Sequence, residues 1–296
     1  MKRYREIVGD GGSAVLAQVQ EQRARVESRL ARVRHVVAVA SGKGGVGKSV
    51  VVANLAASLT QQGRRVGVLD GDLNGPAIAR MLGVGHQTLR VERDHAAPAI
   101  GPLGIKVVSM ALLLPRDDTP VIWEAPTQDD AYVWRGTMEA SAAREFLADV
   151  EWGELDYLFI DLPPGAERLP HLAGLLAGRV RGAVVTIPSQ VSRMIVAKAV
   201  VLARTAGIDM FGEVENMAGY VCPRCGAVGD LFPGDDAEAA ATSLGLPSLG
   251  TIPFDPRIAL CADRGDPFIA VYPDTAAAEA FAAVASRLDA LLEACG

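Results

Sequence analysis

The stretch His35–Ser49, His-Val-Val-Ala-Val-Ala-Ser-Gly-Lys-Gly-Gly-Val-Gly-Lys-Ser, decides how the rest of the chain is read. It begins as a short apolar run, breaks at Ser41-Gly42, and enters an apolar segment with helical periodicity that continues to Gln62. Within it, Gly42-Lys43-Gly44-Gly45-Val46-Gly47-Lys48-Ser49 fits G-x4-G-K-[ST]. That spacing carries chemistry only between a strand and the first turn of a helix, which is its context here. The glycines let backbone N–H groups turn toward a polyphosphate, and the helix N-terminus adds its positive dipole end. Lys48 is placed to reach the terminal phosphates, and the Ser49 hydroxyl to bind Mg²⁺. Gly42, Lys43, Gly44, Gly45, Val46, Gly47, Lys48 and Ser49 are therefore the candidate nucleotide-binding residues, with ATP and Mg²⁺ as cofactors.

The pattern repeats outward from this loop. Short β-branched runs at His35–Ala40, Arg65–Leu69, Tyr157–Ile160 and Ala183–Ile187 alternate with longer segments of helical pattern. The expected helices lie over Gly47–Gln62, Ser141–Val150, Val191–Ala206 and Ala276–Ala294. Continuous apolar strands alternating with helices signal an α/β fold, a mostly parallel sheet with helices on both faces. The stretch Gly83–Gln128, richer in Pro, Gly and charge, reads as an excursion with a strand near Ile105–Met110.

Two strands run into acids. Arg65–Leu69 leads to Asp70-Gly71-Asp72, and Tyr157–Ile160 leads to Asp161. Acids at the carboxyl ends of parallel strands face the crevice where such sheets bind ligands. Asp161 fits the acid that holds the Mg²⁺ shell, while Asp70 supports that shell or its loop. No pairing of Ser or Cys with His35, His86, His95 or His171 suggests nucleophilic catalysis.

The chain has 296 residues, half of them hydrophobic, a formal charge of −6 and four cysteines. That composition excludes disorder and a disulfide scaffold. The acidic balance argues against general nucleic-acid binding. No apolar run reaches the ~18 residues of a membrane span, and the N-terminus lacks a signal peptide's apolar stretch, so a cytoplasmic location is expected. Residues 1–34 carry eight Lys/Arg against four Asp/Glu. Val15, Val19, Val26, Leu30 and Val33 there suggest one amphipathic helix, an extension before the ATPase domain expected over 35–296.

Cys222-Pro223-Arg224-Cys225 lies in a loop after Met210–Asn216. This spacing lets two thiolates share one metal, but a structural zinc needs four ligands. Cys261 and Cys295 stand apart in sequence. Two copies of the chain across a two-fold axis would supply four thiolates, enough for zinc or a [4Fe–4S] cluster. The spacing leaves these two open, since both accept four thiolates.

Taken in order, these pieces resemble the Mrp/ApbC (Nbp-type) iron–sulfur carriers of the MinD/ParA class of deviant P-loop ATPases. The resemblance spans roughly Val36 to Pro267. It rests on Gly42–Ser49, Leu69–Gly83, Trp134-Arg135-Gly136, Trp152–Gly165, Glu215-Asn216-Met217, the Cys222/Cys225 loop and Leu249–Pro253. It implies a homodimeric ATPase that carries a labile [4Fe–4S] cluster between paired cysteines for apo iron–sulfur client proteins. Lys43 then reaches the partner's nucleotide, Asp72 orients the attacking water, Asn216 contacts adenine and Pro253 closes beside it. The implied catalytic set is Lys43, Lys48 and Asp72.

The chain departs from that family at Ala166-Glu167-Arg168, where Thr-Gly-Asp is usual, and at Asn74, Ala77 and Ile195. A positioning or regulatory ATPase of the MinD/ParA kind, with structural zinc at the thiols, is the competing reading. Thr275–Gly296 has a net negative charge, which argues against a membrane-binding helix there.

Overall fold

A computed structural model describes residues 15–91, 95–116, 119, 121, 139, 141–165, 169–176, 178–232 and 241–294. The chain enters through helix α1 (Val15–Leu30), strand β1 (Val33–Ser41), helix α2 (Lys48–Gln61), strand β2 (Val66–Asp70) and the short helix α3 (Ile78–Met81). Strands β3 (Ala99–Ile100), β4 (Lys106–Val108) and β5 (Leu155–Asp161) follow, then helix α4 (Leu169–Leu176), strand β6 (Val180–Thr186) and helix α5 (Gln190–Thr205). Strands β7 (Asp209–Val221), β8 (Val228–Gly229) and β9 (Ser248–Phe254) precede helices α6 (Pro256–Arg264), α7 (Phe268–Val271) and α8 (Ala276–Ala294).

Among the described residues these nine strands form one sheet in the order β8-β7-β6-β1-β5-β2-β4-β3, with β9 also paired to β7. The β3–β4 and β7–β8 pairs are antiparallel, and the rest are parallel. Every residue of β1 except Arg34 is buried. Neighbours along a strand face opposite sides, so both faces of the sheet are covered. Helices α2 and α8 pack together, and α1, α4 and α5 form a second contiguous group. Val51, Leu55 and Leu59 of α2 and Phe281, Val284 and Leu288 of α8 are buried in the core.

The expected elements are present, with shifted ends. Val33 is the first residue of β1 rather than the last of a helix, and α1 stops at Leu30. Val26 and Leu30 are its buried anchors. Arg179 Nη2 donates to Leu30 O at 2.8 Å and Val33 O at 3.2 Å, and Arg25 reaches Asp149 at 3.3 Å. Residues 141–149 are helical. The expected strand near Ile105–Met110 spans only Lys106–Val108, because the chain coils into a 3₁₀ turn at Met110–Leu113. Strand β7 is much longer than the run Met210–Asn216 and ends one residue before Cys222.

Candidate functional site

The carboxyl ends of β1, β2 and β5 meet at the phosphate loop. Register places Asp70 beside Asp161, and Val39 on the other edge of Asp161. Gly47, at φ 80, is the cap of α2. That left-handed conformation suits glycine, and a Cβ there would also collide with the side-chain amide of Asn216. Lys48 and Asp161, both buried, form an ion pair. Ser49 Oγ donates to the other oxygen of Asp161 at 2.6 Å. Burial pushes Asp161 above the ordinary carboxylate range, while Lys48 and Ser49 pull it back.

Asp70 is held differently. Its Oδ2 accepts from Ala77 N at 3.0 Å, Ile78 N at 3.1 Å and Ser109 Oγ at 3.0 Å, and its Oδ1 accepts from Asp72 N at 3.3 Å. Burial, then the charge of Asp161, push it up to about 7. The three backbone bonds fold residues 71–78 around the carboxylate and set the position of Asp72, and Ser109 closes it from the far side of the loop. Asp72 accepts from Gly75 N at 3.2 Å, and Asn74 Nδ2 donates to Glu139 Oε1 at 2.6 Å. Lys43 is half-buried at the mouth of the loop, and Gly42 lies against α5, where an added Cβ would stand 2.9 Å from Ile195 Cγ2.

Asn216, on β7, donates its side-chain amide to Val46 O at 2.9 Å. Pro253 lies on the paired strand β9. Six residues beyond Asn216, Cys222 opens a tight turn in which Gly226 N donates to Cys222 O and Cys222 N donates to Ala227 O, both at 2.8 Å. Cys222 is half-buried and Cys225 is exposed. The backbone N–H groups of Arg224 and Cys225, and then the Cys225 thiol, lower the Cys222 pKa. Donors aimed at sulfur stabilise a thiolate, the form that ligates metal. Among the described residues no group of three or more His, Cys, Asp or Glu side chains is gathered for a metal. Cys261 is buried in α6, away from the turn in sequence. Trp134-Arg135-Gly136, Ala166-Glu167-Arg168 and Cys295 lie outside the described residues.

One cluster escaped the sequence reading. Glu213 and Glu215 share a face of β7, both buried. Arg193 of α5 donates to Glu215 Oε2 at 3.2 Å, whereas among the described residues neither oxygen of Glu213 has a hydrogen-bond partner. Burial, then Glu215, push Glu213 up to about 7, against the pull of Arg193. The signal was present as two acids at i and i+2 on either side of Val214.

Comparison with known proteins supports the same assignment. The family profile described as "ParA: NUBPL iron-transfer P-loop NTPase" matches residues 32–131 and 125–289. An iron-sulfur cluster carrier protein of Saccharolobus solfataricus is 42% identical over 277 residues, covering 93% of this chain and 90% of that protein. One from Methanocaldococcus jannaschii is 39% identical, covering 90% of this chain and 88% of its own length. Among solved structures, a nucleotide-binding protein from Archaeoglobus fulgidus in complex with ADP superposes with a TM-score of 0.68 at 33% identity, over 82% of this chain and 91% of that one. MinD of Pyrococcus furiosus, at 22% identity and a TM-score of 0.59 over 87% of this chain and 99% of its own, shares the fold. No helix among the described residues is long and apolar enough to cross a membrane. With its phosphate loop, paired strand-end acids and thiol turn in this order, the chain belongs to the NUBPL iron-transfer P-loop NTPase family.

Proposed function

We propose that the protein is a cytoplasmic ATPase that carries a [4Fe–4S] cluster as cargo between the Cys222/Cys225 turns of two copies and delivers it to apo iron–sulfur client proteins. The carrying observation is the strand β7, which has the phosphate-loop contact of Asn216 near its middle and the thiolate-stabilising turn of Cys222 at its end. The segment before β1 forms the extension, and the ATPase domain begins with β1 at Val33.

The residues at the loop fit a magnesium nucleotide. Lys48 and Ser49 are directed at one buried carboxylate, Asp161, the arrangement needed to hand a cation and its shell to phosphate oxygens. Ser49 and Asp161 would hold Mg²⁺, which would supply neutralisation of phosphate charge, and Asp70 supports that arrangement through its loop. The amides of Gly44–Ser49 hold the phosphates, and Lys48 and the partner's Lys43 stabilise charge as it develops. Asp72 orients the water, so turnover relies on positioning rather than on a strong base. Asn216 and Pro253 border the base. The exposed Val191 and Met194 of α5, next to the phosphate loop, support a second copy covering this face.

Anaerobic reconstitution followed by mixing with an apo acceptor tests the reading. Cluster transfer that restores acceptor activity, and that Cys222→Ala or Cys225→Ala removes while sparing ATP binding, is expected. Zinc alone at the thiols, with no sulfide, would instead support the regulatory ATPase with a structural clasp.

A further inference from the structure

The phosphate loop and the thiol turn are linked by one strand, β7, and that strand has an irregular segment at Met217. Asn216 ties β7 to the loop through Val46 O at 2.9 Å, and Met217 Cε lies 3.6 Å from where a Gly47 Cβ would stand. The contact has little slack, because the amide of Asn216 occupies the space that a side chain at Gly47 would need. Met217 is the non-glycine residue with positive φ among the described residues, at 57°. A residue of this kind in left-handed backbone is sparsely populated and persists only where its surroundings hold it.

The neighbouring strand breaks at the same place. Pairing of β9 with β7 is regular at Thr251↔Glu215 and Ile252↔Asn216, shifts register, and resumes at Phe254↔Tyr220. The rings of Tyr220 and Phe254 stack with centroids 6.3 Å apart where pairing resumes. Beyond that point Val221 pairs with Val228, and the Cys222 turn follows. Asn216 and Cys222 are six residues apart, about 20 Å along a strand. The irregular segment Met217–Gly219 is thus the only part of this path not pinned by regular pairing among the described residues.

We propose that Met217 is a positioning residue, the joint through which occupancy of the phosphate loop changes the geometry of the Cys222–Cys225 turn. A polyphosphate held by the amides of Gly45–Lys48 pulls on the peptide units whose Val46 carbonyl holds Asn216. The pull reaches a backbone position with two accessible states, left-handed and extended, opposite a register break. Changing that state re-aims Tyr220, Val221 and the thiols beyond them, without moving the regular part of β7. The coupling is reciprocal, so metal at the thiols changes nucleotide affinity by the same factor. This inference rests on the carrier reading above.

The test is a titration of the full chain with Co²⁺ alone, followed by its thiolate charge-transfer absorbance, in the absence of nucleotide, with MgADP, and with a non-hydrolysable MgATP analogue. The wild type should show thiol affinities differing by about fivefold or more between nucleotide states. Met217→Gly, which adopts the left-handed conformation without cost, should bring that ratio to within twofold of one while binding Co²⁺ normally without nucleotide. Asn216→Ala should also collapse the ratio, and Met217→Leu should preserve it. An unchanged ratio in Met217→Gly overturns the joint and leaves the carrier reading standing. Wild-type protein that holds no metal at its thiols overturns both.

Discussion

Ser49 Oγ donates to Asp161 Oδ2 at 2.6 Å, while the ammonium of Lys48 pairs with the other oxygen of the same carboxylate. Asp161 is 1% exposed, so the pair is sheltered from water. Each partner satisfies the other, and removing one leaves an uncompensated buried charge.

Lys48→Ala should therefore lose stability as well as nucleotide binding, by about 3–5 kcal/mol. Lys48→Ala/Asp161→Asn should recover most of that stability without recovering ATP turnover. Chemical denaturation of both variants, set beside Asp161→Asn alone, gives the coupling. Additive losses would contradict the buried pair.

Lys43 belongs to the other copy's reaction in the proposed dimer. Lys43→Ala and Lys48→Ala chains should each be inactive alone. When the two are mixed, the site that keeps its own Lys48 receives Lys43 from the Lys48→Ala partner and should regain turnover. In an equimolar, randomly exchanged mixture half of the pairs are mixed and one of two sites in each is complete, so about a quarter of the sites can be rescued. No recovery in ATPase assays of stably exchanged mixtures would place Lys43 in its own site or outside the reaction.

The thiols should differ in reactivity. Backbone donors lower the Cys222 pKa, whereas burial raises that of Cys261. Alkylation of metal-free protein near pH 7, read by mass spectrometry, should label Cys222 well before Cys261. Loading the turn with metal should protect Cys222 and Cys225 together.

Glu213 sets a pH dependence of stability. Its folded pKa of about 7 lies above the ordinary value of 4.5. The folded chain keeps a proton there that the unfolded chain releases, so this stabilisation is complete below the ordinary value and lost as pH rises through 7. Glu213→Gln mimics the protonated form. It should match the wild type near pH 4.5 and exceed it near pH 8 by about 1–3 kcal/mol, or about 2–4 °C of Tm per kcal/mol. Asp70 carries a shift of the same sign but is present in both proteins, so it cancels. A pH-independent difference would contradict a charge cost at Glu213.

The phosphate loop and the strands that feed it were legible because apolar runs ending in Asp or Gly have few alternatives in a parallel sheet. Helix α8 was legible to the residue, since its alanine-rich pattern has no competing turn signal. Other features depend on contacts distant in sequence. Nothing in Asp70-Gly71-Asp72 announces that Ser109, 39 residues later, donates to Asp70. The contact of Asn216 with Val46, across 170 residues, is likewise a product of strand order. Strand β7 was not delimited in the sequence, because Glu213, Glu215 and Asn216 interrupt its apolar residues, yet partners on both edges extend it to Val221. Arg193 and Glu213 were overlooked because each sits in a pattern that reads correctly as helix or strand without them.

Iron, acid-labile sulfide and native mass, measured together on anaerobically reconstituted protein with and without ATP, test the proposed carrier most directly. About four iron and four sulfide per two chains, in a dimer that Cys222→Ala and Cys225→Ala cannot load, is the expected result. Metal without sulfide, or a full cluster on a single chain, would contradict it.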